Sequence, residues 1–284
     1  MKGKHVAITG PTAGIGRTTS LELAKKGAQL TLLCRSAEKA RALGKEIVAA
    51  GGLAPHVIVV EMSSLDSVRT AGEQLLAQGK PLDVLLNNAG AINMSRRETV
   101  DGFEETLAVN HFAPFLLTGL LLPLLQQAAP GARIVNVASD AHTFVKGMGF
   151  DDMQATKNYK TFREYGRSKL ANILFTRRLA RQLQGQGITV NCLHPGAVAT
   201  SLGTNNNGIF GKIVPRLLKP FFRTPMQGAE TSIYLCSSDE VAGVTGEYFV
   251  DCKPRKPKSW GRDDAAADKL WRYTEDCLDY SFPL

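Results

Sequence analysis

The chain has 284 residues, 44% of them hydrophobic and 21% charged, with a net charge of +8. That is globular composition, enough for one large core in one α/β domain; it excludes a disordered or fibrous chain. No apolar stretch approaches the roughly 18 residues of a membrane-crossing helix. The five cysteines are scattered without a CxxC pair for zinc or a redox dithiol, and the basic residues are spread without a nucleic-acid-binding motif. No signal peptide precedes the first strand, so the expectation is a cytoplasmic protein that uses no metal and binds no nucleic acid.

Lys4 to Thr9 is a short apolar run with the pattern of a strand. Gly10, Thr12, Gly14, Ile15 and Gly16 follow in a glycine-rich turn, and a helical pattern starts at Arg17. Strand, glycine turn and helix together predict a phosphate cradle, because bare backbone and helix N-terminal amides can approach an anion. The spacing G-x3-G-x-G differs from the commonest dinucleotide fingerprint.

Gln29 to Cys34 is the second strand. Sites that prefer NAD place a carboxylate at the end of this strand to bind the ribose hydroxyls; a cation there pairs with the 2′-phosphate of NADP. Here the strand runs into Arg35 and Ser36. These residues predict NADP(H), with Arg35 as the main phosphate ligand and Ser36 and Arg17 as helpers.

Ala37 to Ala50 is helical, His56 to Val60 a third strand ending in Glu61 and Met62, and Ser64 caps a helix over 65–77. Leu82 to Leu86 is a fourth strand, with Asn87, Asn88, Ala89 and Gly90 at its carboxyl edge, where open parallel sheets hold ligands. Gly102 to Leu125 carries two helical stretches with Asn110 between apolar neighbours; a buried Asn needs partners, so it is a core hydrogen-bonder or part of a site. Phe112 to Leu125 reads as a buried helix. Arg133 to Ala138 is a fifth strand ending at Ser139, placed to hydrogen-bond a substrate carbonyl oxygen; His142 beyond it reads as a wall residue.

A long helix over 159–183 carries Tyr165 and Lys169 one turn apart on one face. An ammonium beside a phenol favours the phenolate, which suits Tyr165 to give or take a proton. Ile188 to Leu193 is the sixth strand, ending in His194, Pro195 and Gly196. Residues 201–224 read as a lid over the substrate cleft. Within it 209–223 carries Phe210, Val214, Leu217 and Phe221 beside a stripe of Lys212, Arg216, Lys219 and Arg223, suited to covering the cleft or to weak contact with an anionic membrane surface. A helix over 226–237 and a short strand over 247–250 follow. Residues 253–258 are basic and proline-rich, an extended segment, and 265–278 form a last helix with Trp271 and Tyr273 available for docking. The alternation of strands and helices predicts an α/β, single-domain Rossmann fold: a doubly wound parallel sheet of about seven strands with helices on both faces.

Thr9-Gly10-x3-Gly14-x-Gly16, Asn87-Asn88-Ala89-Gly90, Asn110, Ser139, Tyr165-x3-Lys169 and Pro195-Gly196-x3-Thr200 together resemble the short-chain dehydrogenase/reductases over residues 4–250. Cys34-Arg35, Ser139 to His142, Ser168 to Asn172 and His194-Pro195-Gly196 resemble the retinol dehydrogenase branch, with protochlorophyllide reductases as relatives. The resemblance implies a catalytic domain over 1–250 and a C-terminal extension, 251–284, packed on it. It implies Tyr165 as general acid or base, Lys169 holding the nicotinamide ribose and lowering the Tyr165 pKa, Ser139 orienting the substrate oxygen, and Asn110 anchoring a water in a proton relay. Gly10, Gly14, Ile15 and Gly16 would meet the phosphates, Glu61 and Met62 the adenine, Asn88, Ala89 and Gly90 the ribose side, and Pro195, Gly196, Val198 and Thr200 the carboxamide. Ala138 stands where the branch has a first serine, and Glu61 where aspartate is usual. The implied activity is NADP(H)-dependent hydride transfer to or from a lipophilic aldehyde, ketone or alcohol. The family often forms homo-oligomers. The alternative is a non-catalytic NADP(H) sensor or scaffold.

Overall fold

The computed structural model describes residues 1–196 and 223–284. Val198, Thr200 and the lid and amphipathic segment through residue 222 lie outside the described residues. Five parallel strands make the centre: β1 (His5–Thr9), β2 (Gln29–Cys34), β4 (Val84–Asn87), β5 (Ala132–Val137) and β6 (Ile188–His194). β3 (His56–Val59) forms one edge. On the other side β7 (Tyr248–Val250) pairs parallel with β6, and β8 (Lys253–Arg255) pairs antiparallel with β7. The order is β3-β2-β1-β4-β5-β6-β7-β8. The eighth strand comes from the proline-rich segment read as merely extended; Pro254 is tolerated because β8 is an exposed edge.

Valine, isoleucine and leucine dominate the central strands because both faces are covered. Helices α1 (Gly14–Lys25) and α2 (Ala37–Ala49) cover one face. The other face carries α3 (Leu65–Leu76), the short α4 (Glu105–Leu107), α5 (Ala113–Gln127) and α6 (Thr161–Gln182). Two more helices follow, α7 (Pro225–Ser237) beside α1 and α8 (Asp264–Leu278) against α6.

One expectation needs correction. A widened π turn, Ala108–Phe112, joins α4 to α5, so Glu105–Gln127 is one helical run. By length and composition this run could cross a membrane, whereas the sequence suggested no such stretch. In the fold 89% of its most apolar window is buried. It is the central core helix, and Pro123 inside it does not end it.

The chain after β7 packs onto the same core. Trp271 of α8 meets Phe115 of α5 edge to face at 4.9 Å, and Phe282 lies 4.9 Å from Trp271 and 5.1 Å from Phe115. Arg178 lies over the indole at 5.3 Å. Because this cluster joins the extension to the two central helices, Trp271→Ala should lower unfolding free energy by about 3–5 kcal/mol in urea denaturation. A loss below about 1 kcal/mol would mean that the extension is not part of the cooperative core.

Candidate active site

A cleft of about 340 Å³ opens at the carboxyl ends of β1, β2, β4 and β5. The order places it where successive connections leave β1 in opposite directions, the position at which doubly wound sheets bind ligands.

Gly10 and Gly14 to Gly16 line one wall. Gly10 has φ +64°, and a Cβ on Gly16 would collide with the Gly10 carbonyl oxygen, so this turn admits no side chains there. The α1 N-terminus has no side-chain cap and no acid in its first turn. Its free amides face the cleft and suit a diphosphate. Thr9 fastens the opposite wall: its hydroxyl accepts from the amides of Asn88 (3.0 Å) and Ala89 (2.9 Å). Asn88 returns Nδ2 to the carbonyls of Thr9 and Gly10. The sequence offered Thr9 only as the residue before the glycine turn.

At the end of β2, Arg35, Ser36 and Lys39 line the cleft with Glu61 and Met62 opposite. Ser36 caps α2 by accepting from Lys39 N at 3.2 Å. Arg35 and Glu61 are only 3.8 Å apart and largely exposed, a weak pairing that leaves the guanidinium available. Lys39 was missed; the helical register of α2 turns it toward Arg35. Arg17, expected to help here, is not among the cleft-lining residues. It pairs with Glu46 of α2.

The chemical end is built on α6 and β5. Lys169 is buried, and its Nζ donates to the carbonyl of Val137 at 2.9 Å. Its ammonium lies 5.7 Å from the Tyr165 ring centre, and burial lowers its pKa to about 8. Burial pushes the half-buried Tyr165 phenol up, and the Ser139 side chain draws it partly back. Burial is the larger of these two influences on the phenol. The Ser139 hydroxyl also accepts from Ala141 N at 3.1 Å.

Asn110 lies in the π turn, fully buried. Its Oδ1 accepts from Ala91 N at 2.7 Å, and its Nδ2 donates to Ala91 O and to Ser168 Oγ, both at 2.9 Å. Its side chain is thus a fastener between the β4 exit and α6. A π turn also lacks the regular i→i−4 bond at one carbonyl. Gly90 lies against both groups: a Cβ there would stand 3.3 Å from Asn110 Oδ1 and 3.5 Å from Lys169 Nζ. Pro195 lines the cleft; Gly196, at φ +83°, packs under Arg223 and is not among the lining residues. Asn93, Arg97 and Glu105, at the outer rim, were not anticipated. His142, expected to be a wall residue, is buried and held by the Ser139 carbonyl, and is not among the cleft-lining residues.

A parallel sheet with an uncapped glycine turn, and a Ser–Tyr–Lys group over its carboxyl edge, defines a dinucleotide-dependent oxidoreductase. The short chain dehydrogenase model matches residues 4–208. Retinol dehydrogenase 14 of Mus musculus is 43% identical over 97% of this chain and 86% of its own. Retinol dehydrogenase 13 of Homo sapiens is 41% identical over 95% and 82%. An uncharacterized protein from Mycobacterium Paratuberculosis superposes with TM-score 0.80 at 28% identity, over 100% of this chain and 96% of that one. The RhlG/NADP active-site complex of Pseudomonas aeruginosa does so with TM-score 0.70 at 26% identity, over 88% and 94%. The chain belongs to the short-chain dehydrogenase family and is retinol dehydrogenase-like within it.

The buried lysine gives a test. Its folded pKa lies below its ordinary 10.5, so between about 8 and 10.5 the unfolded chain binds more protons and stability rises with pH. The unfolding free energy of the wild type relative to Lys169→Met should grow across that window by up to about 3 kcal/mol. A flat difference would mean that Lys169 keeps an ordinary pKa.

Proposed function

We propose that the protein is an NADP(H)-dependent oxidoreductase acting on a lipophilic aldehyde or ketone, or the corresponding alcohol, with Tyr165 as the proton carrier. The observation that carries this reading is the meeting of Tyr165 and Lys169, with the Ser139 side chain beside the phenol, at one end of a cleft whose other end presents Arg35, Ser36 and Lys39. A bound nicotinamide supplies or accepts the hydride.

The chain's own residues do the rest. Ser139 offers a hydroxyl to the substrate oxygen beside Tyr165. The raised phenol is protonated at neutral pH and ready to donate as negative charge grows on that oxygen. Lys169, charged below about pH 8, then stabilises the phenolate. In the reverse direction the same pair accepts the alcohol's proton. Asn110 and Ser168 fix α6 against the Gly90 loop and so hold Lys169 at its distance. The uncapped α1 amides would hold the diphosphate, and Arg35 and Lys39 the 2′-phosphate.

An apolar substrate is supported by the surface beside the site. Phe144, on the turn that begins after Ser139, and Phe162, one helical turn before Tyr165, are 59% and 63% exposed and meet edge to face at 6.3 Å. Such a pair offers a landing place for a hydrocarbon chain or ring. A role limited to cofactor binding would account for Lys169 at the ribose but not for the Tyr165 phenol with the Ser139 side chain beside it.

Tyr165→Phe should lower kcat for an apolar carbonyl by about 10²- to 10⁴-fold while NADPH affinity stays near wild type. Retained turnover would remove Tyr165 from the chemistry. Arg35→Asp should raise KM for NADPH about 10- to 100-fold, the worth of one charge-assisted bond, with little change for NADH. Equal changes for the two cofactors, followed at 340 nm, would refute Arg35 as the phosphate ligand.

A further inference from the structure

The chain beyond β8 touches the candidate catalytic residues through two buried histidines. The first, His111, follows Asn110 in the π turn and is 1% exposed among Phe112, Phe115 and Phe175. Its Nε2 lies 2.9 Å from Thr274 Oγ of α8. That hydroxyl already donates its single proton to Leu270 O at 2.8 Å. The imidazole must therefore donate from Nε2, and its Nδ1 has no partner among the described residues. Burial lowers the His111 pKa to about 3, so the ring stays neutral and this contact does not change through the working pH range.

The second, His142, lies three residues after Ser139 and is 2% exposed. The backbone amide of Lys258 points at its Nε2 from 3.4 Å. Nε2 is then the acceptor, and Nδ1 donates to the Ser139 carbonyl at 2.9 Å. Trp260 Nε1 donates to the His142 carbonyl at 2.9 Å. One segment thus holds the turn behind Ser139 while the helix after it holds the turn that contains Asn110. A third tie joins them: Gln154 donates to Tyr273 Oη of α8 and accepts from the amide of Glu104, which caps the run into the π turn through both carboxylate oxygens.

We propose that residues 256–284 form a brace that sets the positions of Ser139 and Asn110, with Thr274 acting through His111 and Trp260 acting through His142 as positioning residues. The contacts fall at the two irregular turns that carry the site, and not only along the regular faces of α5 and α6. A π turn has poorer hydrogen-bond geometry than the α-helix around it and depends on its surroundings to persist. Thr274 supplies the acceptor for a buried N–H that has no other. The cofactor cleft, by contrast, has no lining residue from this segment. Loss of the brace should therefore act on turnover and spare cofactor binding. The effect on turnover rests on the oxidoreductase reading above.

The test compares Thr274→Val with Thr274→Ser. Valine keeps the shape and removes the acceptor; serine keeps the hydroxyl. Three quantities are measured: kcat with an apolar carbonyl, NADPH affinity by fluorescence, and hydrogen exchange of the backbone amides of residues 108–113 against those of β1 and β2. Thr274→Val should lower kcat about ten-fold or more, as small displacements of reacting groups do. It should leave NADPH affinity within about two-fold and speed exchange in 108–113 while β1 and β2 stay protected. Thr274→Ser should restore all three. Trp260→Phe, which removes the indole N–H together with part of the bicyclic ring and keeps an aromatic side chain, should lower kcat in the same selective way and carries the test if Thr274→Val does not fold. Unchanged kcat and exchange in a folded Thr274→Val chain would overturn the brace, as would a proportional loss of kcat and NADPH affinity or a failure of serine to rescue. A wild type that turns over no carbonyl with NADPH overturns the oxidoreductase reading and the kcat effect with it. An active wild type unmoved by Thr274→Val overturns the brace alone.

Discussion

A lysine ammonium buried where β5 ends is the constraint on which the site depends. Lys169 reaches the Val137 carbonyl, and so does Asn172 Nδ2 one turn along the same helix at 3.3 Å. That carbonyl belongs to the sheet, and both donors belong to α6. The pair of bonds therefore fixes the helix that carries Tyr165 against the strand that delivers Ser139. A buried charge with a single strong acceptor is costly in isolation, and the site's polarity lowers that cost. Removing solvent from the ammonium is also what brings its pKa to about 8, close to the range in which it must respond to a forming anion.

Behind that contact runs a buried polar chain. Asn87 of β4 donates to Asn136 of β5 at 2.8 Å, Asn136 donates to Thr176 of α6 at 2.9 Å, and Thr176 donates to the Asn172 carbonyl at 2.8 Å. Asn87 also donates to Thr118 of α5 at 3.0 Å. A hydrophobic layer alone would let α5 and α6 slide over the sheet at small cost, because apolar packing is not directional. Directed bonds at each crossing select one register. The same logic applies at the cleft wall, where Thr9, Asn88 and Ala89 lock β1 to β4. The glycine turn is then free to have no side chains, since its shape is set by neighbours.

Features that rest on local spacing were legible in the sequence. The glycine turn after a strand, the absence of an acid after β2, and a Tyr and Lys one turn apart each follow from a few adjacent residues. What could not be read depends on partners far along the chain. Arg17, a helper to Arg35 on the sequence reading, pairs with Glu46, a partner that only the packing of α2 reveals. Lys39 was hidden because its relevance comes from the direction of α2, not from a motif. The sequence over 102–125 reads as two helical stretches, with Asn110 between apolar neighbours, and nothing in it marks a π turn; the extra residue is recognisable only from the hydrogen bonds it rearranges. Lys253–Arg255 was not read as a strand because its lysines and Pro254 suit only a strand bonded on one side.

The position of the C-terminal segment explains why buried histidines stand next to Asn110 and near Ser139. Each imidazole is neutral and bridges a turn of the site to the last part of the chain, one by donating to a side chain and one by accepting from the backbone. A leucine could fill either space but could not direct it. Histidine combines ring packing, against Phe175 in one case and Tyr248 in the other, with one donor and one acceptor at fixed angles. On this reading the site depends on residues more than 90 positions away from those that would touch substrate. The aromatic cluster around Trp271 supplies the apolar burial that keeps this segment in place, and the two histidines turn that burial into orientation.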